Sequence, residues 1–318
     1  MAGHPDSSLS SPEPMEGVRV TLPGLRRLRG AATRLGIPPP GILSHLFPGA
    51  FRARFHGRGI EFMESRHYQP GDDFRSLDWR VSARSGRLHT KLYQEEREQH
   101  LFLVLDAGPA MHFGTRSCFK WVAAARAAAL LGWLAVIRGD RLGCLLFGTT
   151  LEAPLHPPAT GESALFRLCQ RFAAISSDNS RPPDLETALR QTRELVPPGS
   201  LILVISDFQH LTPGWEFQLA ALAGHHEIGA IAVHDPIERD LPVAGLLPVT
   251  DGARILEIDT GDRALRKRFH DAFERRHREL ASLFRRHRGV TLELGTHEEP
   301  SAALRRRLPG AAEDRRPT

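Results

Sequence analysis

"LFLVLDAGPAMHFG", residues 101–114, decides how the chain is read. Leu101 to Leu105 form an unbroken apolar run that ends in Asp106, and a turn of small residues then leads toward a helical pattern. A run that is apolar at every position, not at alternate ones, suits a strand covered on both faces. Three further runs share the form: "RLGCLLFG" (141–148), "SLILVISD" (200–207) and "EIGAIAVHD" (227–235). Helical patterns lie between them at about 117–138, 161–173, 184–195 and 213–224. The alternation predicts an α/β architecture, a mostly parallel sheet with helices on both faces. Such sheets bind ligands at the carboxyl ends of their strands, and Asp106, Asp207 and Asp235 each close one.

Beyond these runs, "GLLPVTD" and "RILEIDT" predict a hairpin around Asp251-Gly252, followed by a basic helix at 262–288 and a last strand, "VTLELGT", at 290–296. Residues 1–50 read as a largely disordered tail with a short basic helix at 22–36, residues 51–100 as a motif-rich block containing β-structure and packed on the sheet, residues 101–310 as the α/β domain, and 311–318 as a tail. "VHDP" (233–236) reads as a turn carrying a hydrogen-bonded His234.

The hydrophobic fraction of 41% and charged fraction of 25% are those of an ordinary globular protein. Cys118, Cys144 and Cys169 form no C-x-x-C pair, which fits reduced thiols in a cytoplasmic protein. The apolar stretch at 121–137 carries Arg126 and suits a helix buried against a sheet. A soluble, cytoplasmic protein is expected. Only Lys91, Lys120 and Lys267 among the 42 basic residues are lysine, so the net charge of +5 reflects an arginine bias and weakens any inference to nucleic acid. The helix at 263–288 has ten basic and three acidic residues with an apolar stripe that includes Leu265, Phe269, Phe273 and Phe284. Its arginine face suits solvent, an acidic protein partner or, third, nucleic acid.

The stretch "GRGIEFMESRHYQPGDDFRSLDWRVSARSGRLHTKLYQEEREQ" (57–99) is not explained by composition. It gathers Arg66, Tyr68, Gly71, Asp72, Asp73, Arg75, Asp78, Trp79 and Arg84. Such residues suit a charge-paired network folded about the Trp79 ring, read either as a buried structural clasp or as a recognition surface. No nucleophile–base pair can be named within it. Neither H-E-x-x-H nor G-x-S-x-G occurs, and no Walker or G-x-G-x-x-G pattern falls in a strand–turn–helix setting, so no catalysis is expected.

The block closely resembles the hallmark of the DUF58 family, which runs roughly R-x-Y-x-x-G-D-x-x-R-x-I-D-W-x-x-S-A-R, with Leu77 here in place of the usual isoleucine. The similarity extends over about residues 50–310, through "LVISDF" and "VHDPIERDLPVAGLLPVTD". The resemblance implies a von Willebrand factor A-like domain, a Rossmann-type sheet with a metal-ion-dependent adhesion site at its carboxyl edge. It also implies association with a MoxR-type AAA+ ATPase, and action with it in assembling or maturing other proteins. No enzymatic activity is implied.

The adhesion pattern uses Asp-x-Ser-x-Ser on one loop, a threonine on a second and an aspartate on a third, a set of oxygens suited to Mg²⁺. Here Asp106 and Asp207 remain, whereas Gly108 and Ala110 replace the serines and Pro183 falls at the threonine position. Thr115, Ser177 or Ser180 could compensate only from a shifted backbone. A vestigial site is therefore expected, with no cofactor and Mg²⁺ as the only candidate. Without metal, Asp106 and Asp207 would need an arginine, a helix N-terminus or a retained proton to lie side by side. The expectation is a non-catalytic adaptor or scaffold. The alternatives are a divalent-metal-dependent binding domain with an unconventional ligand set, and nucleic-acid binding through the 263–288 helix.

Overall fold

A computed structural model describes residues 17–35, 61–69, 77–94, 99–152, 154–209, 214–250 and 255–306, with backbone alone at 61–66 and 91–94. In chain order the elements begin with α1 (Leu22–Arg34), β1 (Glu61–His67), α2 (Trp79–Ser85), β2 (His89–Gln94), β3 (His100–Asp106), α3 (Lys120–Arg138), β4 (Arg141–Phe147) and β5 (Leu155–Ala159). They continue with α4 (Gly161–Ala174), α5 (Leu185–Leu195), β6 (Leu201–Ser206), α6 (Trp215–Ala223), β7 (Glu227–His234) and α7 (Pro236–Arg239). The last are β8 (Leu246–Thr250), β9 (Ile255–Asp259), α8 (Arg263–Arg286), β10 (Val290–Gly295) and α9 (Pro300–Arg305). The chain divides into two units, one of residues 1–53 and 100–318 and one of residues 54–99.

The larger unit holds a six-stranded sheet of order β10-β7-β6-β3-β4-β5. All neighbours are parallel except β5, which runs antiparallel to β4 at the edge. The expected architecture is what the structure has. The chain starts at β3, winds outward to β5, then crosses back to lay β6 on the other side of β3. The direction of winding therefore reverses between β3 and β6, where α/β sheets open a crevice.

Alternation along β3 builds the two cores. Leu101, Leu103 and Leu105 join the layer of α1, α3, α4 and α9. Phe102 and Val104 join that of α5, α6 and α8. Helix α3 lies close to its neighbours because it is alanine-rich and carries Gly132, where a Cβ would stand 2.6 Å from Leu165 Cδ1. Among the described residues α3 is the one helix long and apolar enough to cross a membrane, and it is mostly buried within this unit.

Helix α1 falls on the short basic helix expected at 22–36, and it is packed into the larger unit. Leu25 and Ala32 are buried in the core, and the indole N–H of Trp133 on α3 donates to the Leu25 carbonyl at 3.1 Å. Strand β5 is absent from the sequence reading because Pro157 and Pro158 break its pattern, and an edge strand is where a sheet accepts proline. The hairpin β8–β9 forms its own two-stranded sheet, and its turn at 251–254 lies outside the described residues.

In the smaller unit β1 and β2 pair antiparallel, with a bulge between Phe62 and Glu64. Helix α2 is capped by the Asp78 carboxylate, which accepts from the N–H groups of Arg80 and Val81 at 3.1 Å, and it ends at Gly86, whose φ of 68° suits a residue without a side chain.

Candidate functional site

The crevice is built from strand ends. β3 and β6 run in register through Leu105 and Ile205, so Asp106 and Ser206 finish side by side. The Ser206 hydroxyl donates to Asp106 Oδ2 at 2.6 Å, and the Gly108 N–H donates to Oδ1 at 2.8 Å. Burial pushes the Asp106 carboxyl up to about 7, the Asp207 charge adding to the effect and the two hydrogen bonds and Lys120 opposing it. The chain leaves β6 through Phe208, at a φ of 54°. For a bulky residue this is strained backbone of the kind found at functional edges.

Lys120, the first residue of α3, supplies the positive charge, and only 1% of its side chain is exposed. Its ammonium donates to Asp207 Oδ2 and to Glu238 Oε1, both at 2.6 Å. Gln209 ties the same two acids, its backbone N–H donating to Asp207 Oδ1 at 3.1 Å and its side-chain amide to Glu238 Oε1 at 2.8 Å. Glu238 Oε2 in turn accepts the Asp235 N–H at 2.8 Å. Asp235 is fully buried. Burial raises its pKa, but Thr115 and Thr296 outweigh that and hold it below the usual carboxylate range. Thr115 reaches Oδ2 through its N–H at 2.8 Å, and the Thr296 hydroxyl donates to the same oxygen at 2.7 Å.

These residues do not fit a divalent ion. A Cβ added at Gly108 would lie 3.0 Å from Asp106 Oδ1 and 3.2 Å from Pro183 Cδ, so the loop position of the first serine is closed by Pro183. Gly148 closes the other side, where a Cβ would meet Gly108 N at 2.7 Å. Thr115 is committed to Asp235, and Ser180 donates to the Ser177 carbonyl at 2.8 Å, so the Thr115 hydroxyl, which donates to Asp235 Oδ1, and the Ser180 hydroxyl are both turned away from Asp106. Among the described residues no group of three or more histidine, cysteine, aspartate or glutamate side chains is arranged to hold a metal.

Of the motif residues, Gly71, Asp72, Asp73 and Arg75 and the side chain of Arg66 lie outside the described residues. Asp78 is buried as the cap of α2, and Leu77 beside it is buried too. Trp79 is 67% exposed. Helix α2 points this indole outward while its cap points in. Ser82 on the inner side accepts the His89 N–H at 2.9 Å.

His234 also departs from expectation. It is buried at the end of β7 with Nδ1 lacking a hydrogen-bond partner, and burial pushes its pKa down to about 4. It lines a cleft of about 370 Å³ together with Arg239, Glu293, His297 and Arg306.

The chain belongs to the family described as "Protein of unknown function DUF58", whose model matches residues 64–279. An uncharacterized protein of Mycobacterium tuberculosis, Rv1480, is 34% identical over 197 residues, covering 61% of this chain and 61% of that protein. The match thus spans less than two thirds of that relative's length. Among solved structures, BatB of Bacteroides thetaiotaomicron is 14% identical, with a TM-score of 0.40 over 67% of this chain and 98% of that one. A von Willebrand factor type A protein from Catenulispora acidiphila is 11% identical, with a TM-score of 0.35 over 70% of this chain and 43% of that one.

Lys120, Glu238, Gln209 and Ser206 are not among the site residues that the sequence reading names. One signal for Lys120 was present: a lysine opening the most apolar helix of a chain that otherwise uses arginine.

Proposed function

We propose that this protein is a non-catalytic, cytoplasmic interaction adaptor that works with a MoxR-type AAA+ ATPase in the assembly or maturation of other proteins. The observation that carries the interaction reading is the β8–β9 hairpin. Leu247 pairs with Ile258 and Val249 with Leu256, so one face is wholly apolar, and Val249 and Leu256 on it are 41% and 68% exposed, while the exposed Leu246 and Ile255 lie on the opposite face across from Asp259 and Thr250. Two strands alone are marginal in water, and a contiguous apolar patch on them marks a contact surface. The ATPase partner follows from family resemblance.

The test is capture of the full chain by a tagged MoxR-type AAA+ ATPase. Val249→Asp with Leu256→Asp is expected to abolish capture while leaving the melting temperature unchanged. Undiminished capture by the folded variant would remove the hairpin from the contact. Retention of nucleic acid on a filter at low salt, lost on raising the salt, would favour the α8 face instead.

A further inference from the structure

Lys120 stands where two acidic ends of the sheet meet. It is buried at the first turn of a 19-residue helix. Asp207 and Glu238 each place an oxygen 2.6 Å from its nitrogen, and they come from the strand end of β6 and from α7. An ammonium is a compact, tetrahedral point charge, closer to a small ion than a planar guanidinium is. In a chain whose 42 basic residues include only three lysines, the choice of lysine here fits that geometry.

We propose that Lys120 is a built-in replacement for a divalent cation. It holds the β6 and α7 ends of the crevice together without metal, and its removal uncovers a recess in which Asp207, Glu238 and the Gln209 side chain bind Mg²⁺ or Mn²⁺. Two carboxylates with water completing the shell are the usual protein contribution to Mg²⁺. Lysine truncated at Cβ leaves room for the ion and its waters between two oxygens already aimed at one point.

The experiment is thermal melting of the full chain in EDTA, then in millimolar MgCl₂ or MnCl₂, for wild type, Lys120→Ala and Lys120→Met, and for Lys120→Met combined with Asp207→Asn and Glu238→Gln. Wild type is expected not to shift. Lys120→Ala is expected to melt lower in EDTA and to regain several degrees with either ion. The triple variant, with no charge left to balance, is expected to melt above Lys120→Met and to ignore metal. A wild-type shift with metal would overturn the proposal, because an ion would then bind beside the lysine. A triple variant no more stable than Lys120→Met would overturn it too, because the lysine would then act by packing. A folded Lys120→Ala that ignores both ions would overturn it as well, and Lys120→Ser takes its place should Lys120→Ala not fold.

Discussion

The Lys120 ammonium and the Asp207 carboxylate, 87 positions apart in sequence, are joined at 2.6 Å inside the crevice between β3 and β6. Removing one partner of such a buried pair leaves the other charge uncompensated, at a cost of about 3–5 kcal/mol. Lys120→Met is therefore expected to lower unfolding stability by about that amount in urea titration. Lys120→Arg is expected to lose stability as well, since a planar fork cannot place one charge between Asp207 and Glu238. A Lys120→Met variant within about 1 kcal/mol of wild type would show that the pair contributes little.

Glu227 predicts a pH effect. It opens β7 with its side chain buried and Oε2 lacking a hydrogen-bond partner, and burial raises its pKa from 4.5 to about 8. The folded chain keeps a proton that the unfolded chain releases above 4.5, so the stability Glu227 supports is complete below that pH and lost as pH rises through about 8. Glu227→Gln should flatten this loss. Its melting temperature relative to wild type is expected to climb between about pH 5 and about pH 9, by roughly 2–4 °C for each kcal/mol relieved. A constant difference across that range would place the group elsewhere than in a buried setting.

Asp78 and Trp79 are adjacent but face opposite ways, and they should separate in mutation. Asp78→Ala removes the cap of α2 and is expected to cost about 1 kcal/mol. Faster amide exchange at Arg80 and Val81 would report it. Trp79→Ala on the exposed side is expected to stay within about 0.5 kcal/mol of wild type. If the motif contributes to partner recognition, only Trp79→Ala will reduce ATPase capture while leaving exchange unchanged.

Restoring the missing hydroxyl should not restore an ion. Gly108→Ser would press a Cβ against Asp106 Oδ1 and Pro183 Cδ, at 3.0 and 3.2 Å. Overpacking of this kind costs about 1–3 kcal/mol. The variant is expected to melt lower than wild type and to show no stabilisation by MgCl₂. A metal-dependent gain would mean that only the hydroxyl had been lacking.

The parallel strands were legible because β3, β4, β6 and β7 are apolar on both faces, a pattern no exposed segment sustains. β5 was not, because its prolines describe an edge and the sequence does not say which strand is last. The carboxyl edge was half legible. Asp106, Asp207 and Asp235 could be placed at strand ends, and the need to neutralise the first two could be stated. What neutralises them could not, since Lys120 lies 14 positions beyond Asp106 and reaches the site only when α3 docks. Helix α1 was legible as a short basic helix, but its docking was not. Leu22, Leu25, Leu28 and Ala32 form an apolar stripe, but a stripe on a short helix does not say which surface covers it.

The packing of α1 on Trp133 bears on how the protein can be dissected. The family match at 64–279 omits α1 on one side and β10 and α9 on the other. A polypeptide cut to those limits would bare the α3 surface that Leu25 covers and leave β7, uniformly buried along its eight residues, as an open edge. The region of shared ancestry and the smallest piece able to fold are thus different lengths of chain, and expression of the former alone should give aggregate.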